Sequence, residues 1–164
     1  MTTDAVKTLV CSLVLSRIDY CNSLRVGLPQ IKRLQGVQNA ATRSVLRTPR
    51  SEQISPLLHN LHWLPANRRI LHKIVALYHT SLSGSGPQYS SDLTHIYTPA
   101  RSLRSSSDTR ILSTPNVILK SYGQRSFVYH GPTAWNSLPL AHQLESDCFW
   151  RTLKTRVFFL SLWI

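Results

Sequence analysis

Four histidines, His59, His62, His72 and His79, share the stretch LHNLHWLPANRRILHKIVALYH (58–79) with Arg68, Arg69 and Lys73. The histidines raise metal chemistry first. His59 and His62 stand three apart, a spacing that puts two ligands on one helix face. A structural zinc site needs four ligands, usually including thiolates; a catalytic one needs three and an open position. The nearest acids are Glu52 and Asp92, no HExxH occurs, and Cys11, Cys21 and Cys148 form no CxxC. Polar or surface histidines are the expectation, with no metal and no cofactor. A zinc or hydrolase module on His59, His62 and a later histidine is the weakest reading.

Other catalytic chemistry finds little support. The seven acids are scattered, and none forms a pair at the spacing of a carboxylate dyad. Glu145 and Asp147 lie two apart and suit the start of a helix through its dipole. No GxSxG, P-loop or GxGxxG is present, nor the adjacent aspartates with which two-metal polymerases hold magnesium. The expectation is a chain without a complete active site and without a small-molecule substrate.

The cations give a stronger pattern. Nineteen Lys and Arg stand against seven acids, a net charge of +12, and the pI is near 10.4. Such a balance favours polyanionic partners. Between Tyr20 and Ser51 there is no acid, while Arg25, Lys32, Arg33, Arg43, Arg47 and Arg50 accumulate. Arg43 and Arg47 are one turn apart; Arg68, Arg69 and Lys73 make a second cluster, Arg101 and Arg104 a third. These seven are the candidate contacts to an RNA or DNA phosphate backbone. A solvated helix face is the competing reading. Trp63, Trp135 and Trp150 sit among apolar neighbours and are expected to pack in a core rather than stack on bases.

The elements that must position these groups follow from periodicity and breaks. Apolar residues at 6, 9, 10, 13, 14, 18, 21 and 24 have helical spacing. Gly27 and Pro29 end that helix, and Pro29 can open a second with Ile31, Leu34, Val37, Ala41 and Val45 as its inward stripe. Ser55 and Pro56 predict a short helix. Pro65 predicts a longer one to about Leu82, burying Ile70, Leu71, Ile74, Val75, Leu77, Tyr78 and Leu82. The loop SGSGP (83–87) is a firm break. A short helix near QYSSDLTH, a Ser-rich basic linker over 98–110, strands over 117–122 and 125–129, and a last helix from Ser146 complete the outline. The last helix is expected to turn Phe149, Leu153, Val157 and Leu160 inward. The cysteines are expected as free, buried thiols. The run LVCSLVLS (9–16) is too short to span a membrane. No membrane partner is expected, and the location is intracellular, nuclear or cytoplasmic, rather than secreted.

Several stretches together resemble one family. SRIDYCNSLRVGLP (16–29), RLQGVQNAATRSVLRT (33–48) and LHWLPANRRILHKIVALYH (61–79) are similar, in this order, to the region downstream of the polymerase core in LINE-type (non-LTR) retrotransposon reverse transcriptases. YSSDLTHIYTPARSLRSSS (89–107), AWNSLP (134–139) and FWRTLKTRVF (149–158) extend the resemblance over nearly the whole chain; the final LSLWI departs from it. It implies a genomic fragment of an RNA-directed DNA polymerase polyprotein, lying after the palm. The family's catalytic aspartates have no counterpart here. The fold expected is therefore mainly α: a small helical bundle, thumb-like, over 1–82, a loop-rich basic linker over 83–116, and a segment over 117–164 with a short β-hairpin and a C-terminal helix. Its expected role is non-catalytic binding of template RNA or target DNA. A structural segment that packs on the missing polymerase core, or an inert relic, is the alternative.

Overall fold

Proline and glycine divide this chain much as their backbone preferences dictate. In a computed structural model, the structure describes residues 2–99, 111–119, 122–138, 149, 150 and 153, which are mainly helical. They belong to two compact units that divide within one helix, between Ile70 and Leu71, rather than at the 83–87 loop.

In the first unit, α1 (Thr3–Val10), a π-helical segment (Cys11–Leu15) and α2 (Ser16–Asp19) follow without a break. A π turn holds about one residue more than an α turn, so the buried stripe falls later than regular spacing predicts. Val6, Val10, Cys11, Val14, Leu15 and Ile18 face the core, whereas Leu13, an expected core residue, is 66% exposed. Cys21 has φ 49° and is exposed, contrary to the expected buried thiol.

After a 3₁₀ turn (Asn22–Arg25), α3 spans Ile31–Leu46, and Pro29 lies in the turn before it. Its inward stripe is a correction to the expected one. Val37 is 51% exposed, and the fully buried positions of the helix middle are Gln38 and Thr42. Each polar side chain makes one hydrogen bond: Gln38 Nε2 donates to the Leu64 carbonyl at 2.8 Å, and Thr42 Oγ1 to the Gln38 carbonyl at 2.9 Å, while the buried Gln38 Oε1 has no partner. Gln35 Oε1 accepts from the Ala66 amide at 2.8 Å, satisfying a donor at the start of the next long helix.

Helix α4 (Ile54–Asn60) starts at Ile54, with Gln53 rather than Ser55 at its cap. Its end explains part of the histidine stretch. His62 adopts φ 55°, the Trp63 amide donates to Leu58 O and the His62 amide to His59 O. That is the two-bond Schellman closure, with a histidine where glycine is usual. The closure turns Trp63 into the core beside Leu15, Ile18, Val45, Leu58, Leu61 and Ala66.

Helix α5 (Ala66–Leu82) enters the second unit at Leu71. There Ile74, Val75, Tyr78 and Ser81 are buried, while Leu77, expected inside, is 42% exposed. Gly84, at φ 69°, follows its end, and α6 (Gln88–Asp92) comes next. The expected strand over 125–129 is instead the start of α7 (Phe127–Asn136), preceded by a 3₁₀ turn (Gly123–Arg125). Residues 117–119 form no strand either, so the β-hairpin is absent from the described residues there. The only β pairing among them is a bridge between Ile96 and Leu112.

The physical reason is tertiary. Tyr78 Oη donates to the Phe127 carbonyl at 3.0 Å, and the two rings lie 4.6 Å apart. At Gly131 an added Cβ would stand 1.8 Å from the Tyr78 ring, so glycine is needed for helix and ring to approach. Burial pushes the Tyr78 phenol up to about 12 and lowers His130 below its ordinary value. Asn136 exchanges two hydrogen bonds, each 2.9 Å, with the Leu112 backbone. Trp135 is buried, and His79 stacks on Phe149 with ring centres 3.9 Å apart. Phe149, Trp150 and Leu153 are helical, with Phe149 and Leu153 buried and Trp150 exposed.

Candidate nucleic-acid interface

The acid-free stretch becomes the outer side of α3 and the turn beyond it. Arg43 is half-buried there, and its Nη2 donates to the Glu52 carbonyl at 3.2 Å. Its Nε–H is buried and has no hydrogen-bond partner, and the Thr48 hydroxyl is in the same condition. Both residues line a surface groove of about 600 Å³ with Gly36, Ala40, Ser44 and Arg50. Gly36, Ala40 and Ser44 stand four apart, so small side chains repeat along one face of α3. A Cβ at Gly36 would meet nothing within 4 Å, which leaves the helix open to close approach. No acid among the described residues lines this groove.

Arg47 is exposed and takes the left-handed position that ends α3, at φ 54°, with the Thr48 amide donating to Arg43 O. The turn thus separates Arg47 from the regular helix face that one-turn spacing from Arg43 predicts, and Arg47 does not line the groove. The small residues of the groove escaped the sequence reading, although their i, i+4 repeat inside an acid-free segment was available as a signal.

The second cluster divides. Arg69 Nε donates to Asp19 Oδ1 at 2.7 Å and its Nη2 pairs with Asp19 Oδ2. Asn22 Nδ2 donates to the same carboxylate at 3.3 Å. A guanidinium held bidentately by a carboxylate is structural first, so Arg69 is not the exposed cation that its neighbours in sequence suggest. Arg68 is half-buried and lines a different pocket, described below. Lys73 is exposed and belongs to the second unit. Arg101 and Arg104 lie outside the described residues.

No protein-family model, curated protein or solved structure matches the chain.

For metal chemistry, the described residues hold no group of three or more His, Cys, Asp or Glu side chains placed to share an ion. His59 and His62 have ring centres 6.3 Å apart, and the left-handed backbone at His62 takes it off the regular α4 face. Among the described residues no helix is long and apolar enough to cross a membrane.

The second pocket, of about 320 Å³, lies in the first unit among α3, α4 and the start of α5. Ile31, Ile54, Leu58 and Pro65 give it apolar walls, Gln35, Asn39 and Asn67 bring amides, and Lys32 and Arg68 bring charge. Gln35 is committed at both ends, to the Ala66 amide and to Asn39 Oδ1 at 2.8 Å. Asn67 Oδ1 accepts from the Arg68 amide. With their oxygens occupied, Asn39 and Asn67 have NH₂ groups to offer as donors.

Proposed function

We propose that this chain is a non-catalytic nucleic-acid-binding segment that holds RNA or DNA by its phosphate backbone. It would correspond to the region after the palm in the LINE-type reverse transcriptases that it resembles, acting within the cell, in nucleus or cytoplasm. The observation that supports it best is the groove on α3, where Arg43 and Arg50 meet small residues with no acid among the described residues of the lining. A buried guanidinium N–H and a buried hydroxyl without partners are costly to leave unmade. A phosphate oxygen drawn into the groove, with a small rotation of Arg43 and Thr48, would satisfy both.

The test is a salt titration of the full chain with labelled RNA and DNA of arbitrary sequence. Several phosphate contacts require log affinity to fall linearly with log salt, a loss of about 10³-fold or more between low and moderate salt for six or more contacts. Affinity that stayed flat across the titration would refute the proposal.

A second reading is favoured by a different observation. Leu9, Leu13, Tyr20 and Leu24 are exposed along the first helical run and the turn after it. They suit packing against another protein surface, with a polymerase core as the partner implied by the resemblance. On that reading, Leu13→Ser raises solubility and leaves nucleic-acid affinity unchanged.

A further inference from the structure

The slot lined by Ile31, Ile54, Leu58 and Pro65 is a different surface from the α3 groove, and its chemistry asks for more than a phosphate. Its volume, about 320 Å³, sits at the small end of the ~300–1,000 Å³ range of ligand pockets, room for one ring system. The aliphatic walls suit a flat apolar face, as in enzymes that hold an extruded base between apolar side chains. The polar lining adds what a purely aliphatic occupant could not use. Asn39 and Asn67 bring amide donors, and Lys32 and Arg68 bring positive charge, with no acid among the described residues of the lining.

An aliphatic peptide anchor would desolvate those amides without pairing them, a net loss. A nucleobase satisfies each feature at once. Its faces meet Ile31, Leu58 and Pro65, its ring carbonyls accept from the amide NH₂ groups, and its own phosphate answers the two cations. A base inside a duplex cannot offer its faces this way.

We infer that this slot takes one unstacked, carbonyl-bearing nucleobase of a single strand, with the adjoining phosphate held by Lys32 and Arg68. The inference rests on the backbone-binding proposal and adds to it a preference for single strands over duplex. It makes the first unit a single-strand binder in which the α3 groove supplies sequence-independent affinity and the slot supplies selectivity for form.

The experiment compares a short oligothymidylate, the same phosphodiester chain with abasic sites throughout, and a duplex of equal length, each binding the full chain at one low salt concentration. The oligothymidylate is expected to bind roughly tenfold more tightly than the abasic strand, within what burying one base contributes. It should also outcompete the duplex. Ser55 is exposed on α4 at the slot's edge. Ser55→Trp, which fills the slot, should abolish the difference between the oligothymidylate and the abasic strand while leaving the abasic affinity unchanged. Asn67→Ala, also at an exposed position, should lower only the oligothymidylate affinity, by a few-fold. Equal binding of the oligothymidylate and abasic strands by the unaltered chain would overturn the base slot and leave the backbone proposal standing. So would an S55W variant that kept the difference, since the base would then bind outside the slot. Loss of all strands alike, even at low salt, would overturn both.

Discussion

Gly131→Ala is the perturbation whose outcome the structure constrains most tightly, because two physical effects of opposite sign meet there. Gly131 lies inside α7, where alanine is intrinsically better than glycine by about 1 kcal/mol. Helix propensity alone therefore predicts stabilisation. The new Cβ, however, would sit 1.8 Å from Tyr78 Cε2, 2.3 Å from Cζ and 2.6 Å from the phenol oxygen. The Tyr78 ring has no exposure at all, lies 4.6 Å from the Phe127 ring at a tilt of 32° and is anchored by its hydroxyl. It cannot swing aside as a surface side chain would. Overpacking a filled core costs about 1–3 kcal/mol, and contacts this short belong at or above the upper end. The net expectation is a loss of about 2–3 kcal/mol, or a fall in melting temperature of roughly 10–20 °C for a unit of this size. Circular dichroism at increasing urea and temperature measures it. Tyr78→Ala alone should cost about 3–5 kcal/mol by leaving a cavity, and the double variant should cost clearly less than the sum, since the methyl then enters vacated space. A G131A chain as stable as the parent, or strictly additive single and double variants, would falsify the packing account.

Other predictions follow from named contacts. Arg47→Gly relieves a left-handed backbone at φ 54° and should stabilise the first unit by up to about 1 kcal/mol in a urea melt; a loss would show that the Arg47 side chain holds the turn. Arg69→Gln should lower stability by about 1 kcal/mol, the modest worth of a part-exposed pair with Asp19, while changing nucleic-acid affinity less than twofold. Arg50→Gln should do the reverse, reducing the salt slope by about one. At acid pH, burial keeps the folded His130 pKa below the ordinary 6.5, so the unfolded chain takes up its proton first. Stability should then decline as pH falls below about 6.5, and His130→Gln should flatten that decline in pH-dependent melts. At alkaline pH, the folded Tyr78 phenol ionises near 12 against 10.0 for the ordinary group. Its stabilisation is whole below pH 10 and is lost between there and pH 12, and Tyr78→Phe should remove that part of the alkaline limb.

What was legible in the sequence is what backbone chemistry decides locally. Pro29, Pro65 and the 83–87 loop mark where α3, α5 and the segment after α5 begin, because proline and glycine restrict or free the chain whatever surrounds them. What was not legible depends on partners far away in sequence. Val37 belongs to the expected inward stripe and Gln38 does not, until Leu64, 26 residues on, offers its carbonyl to the glutamine. Residues 125–129 read as strand, and Gly131 and Pro132 argue against a helix, until Tyr78 supplies a packing partner and a hydrogen bond from 49 residues upstream. The same non-locality governs the candidate site. Cations were easy to count, and counting favoured Arg69 as much as Arg43. Whether a cation can serve a ligand depends on which acids share its space, not its sequence neighbourhood. Asp19 reaches Arg69 across 50 residues and fixes it, whereas no acid among the described residues lines the α3 groove around Arg43 and Arg50. An acid-free segment therefore marks a binding surface only where the fold also keeps distant carboxylates away, and among the described clusters α3 is where sequence and fold agree on that condition.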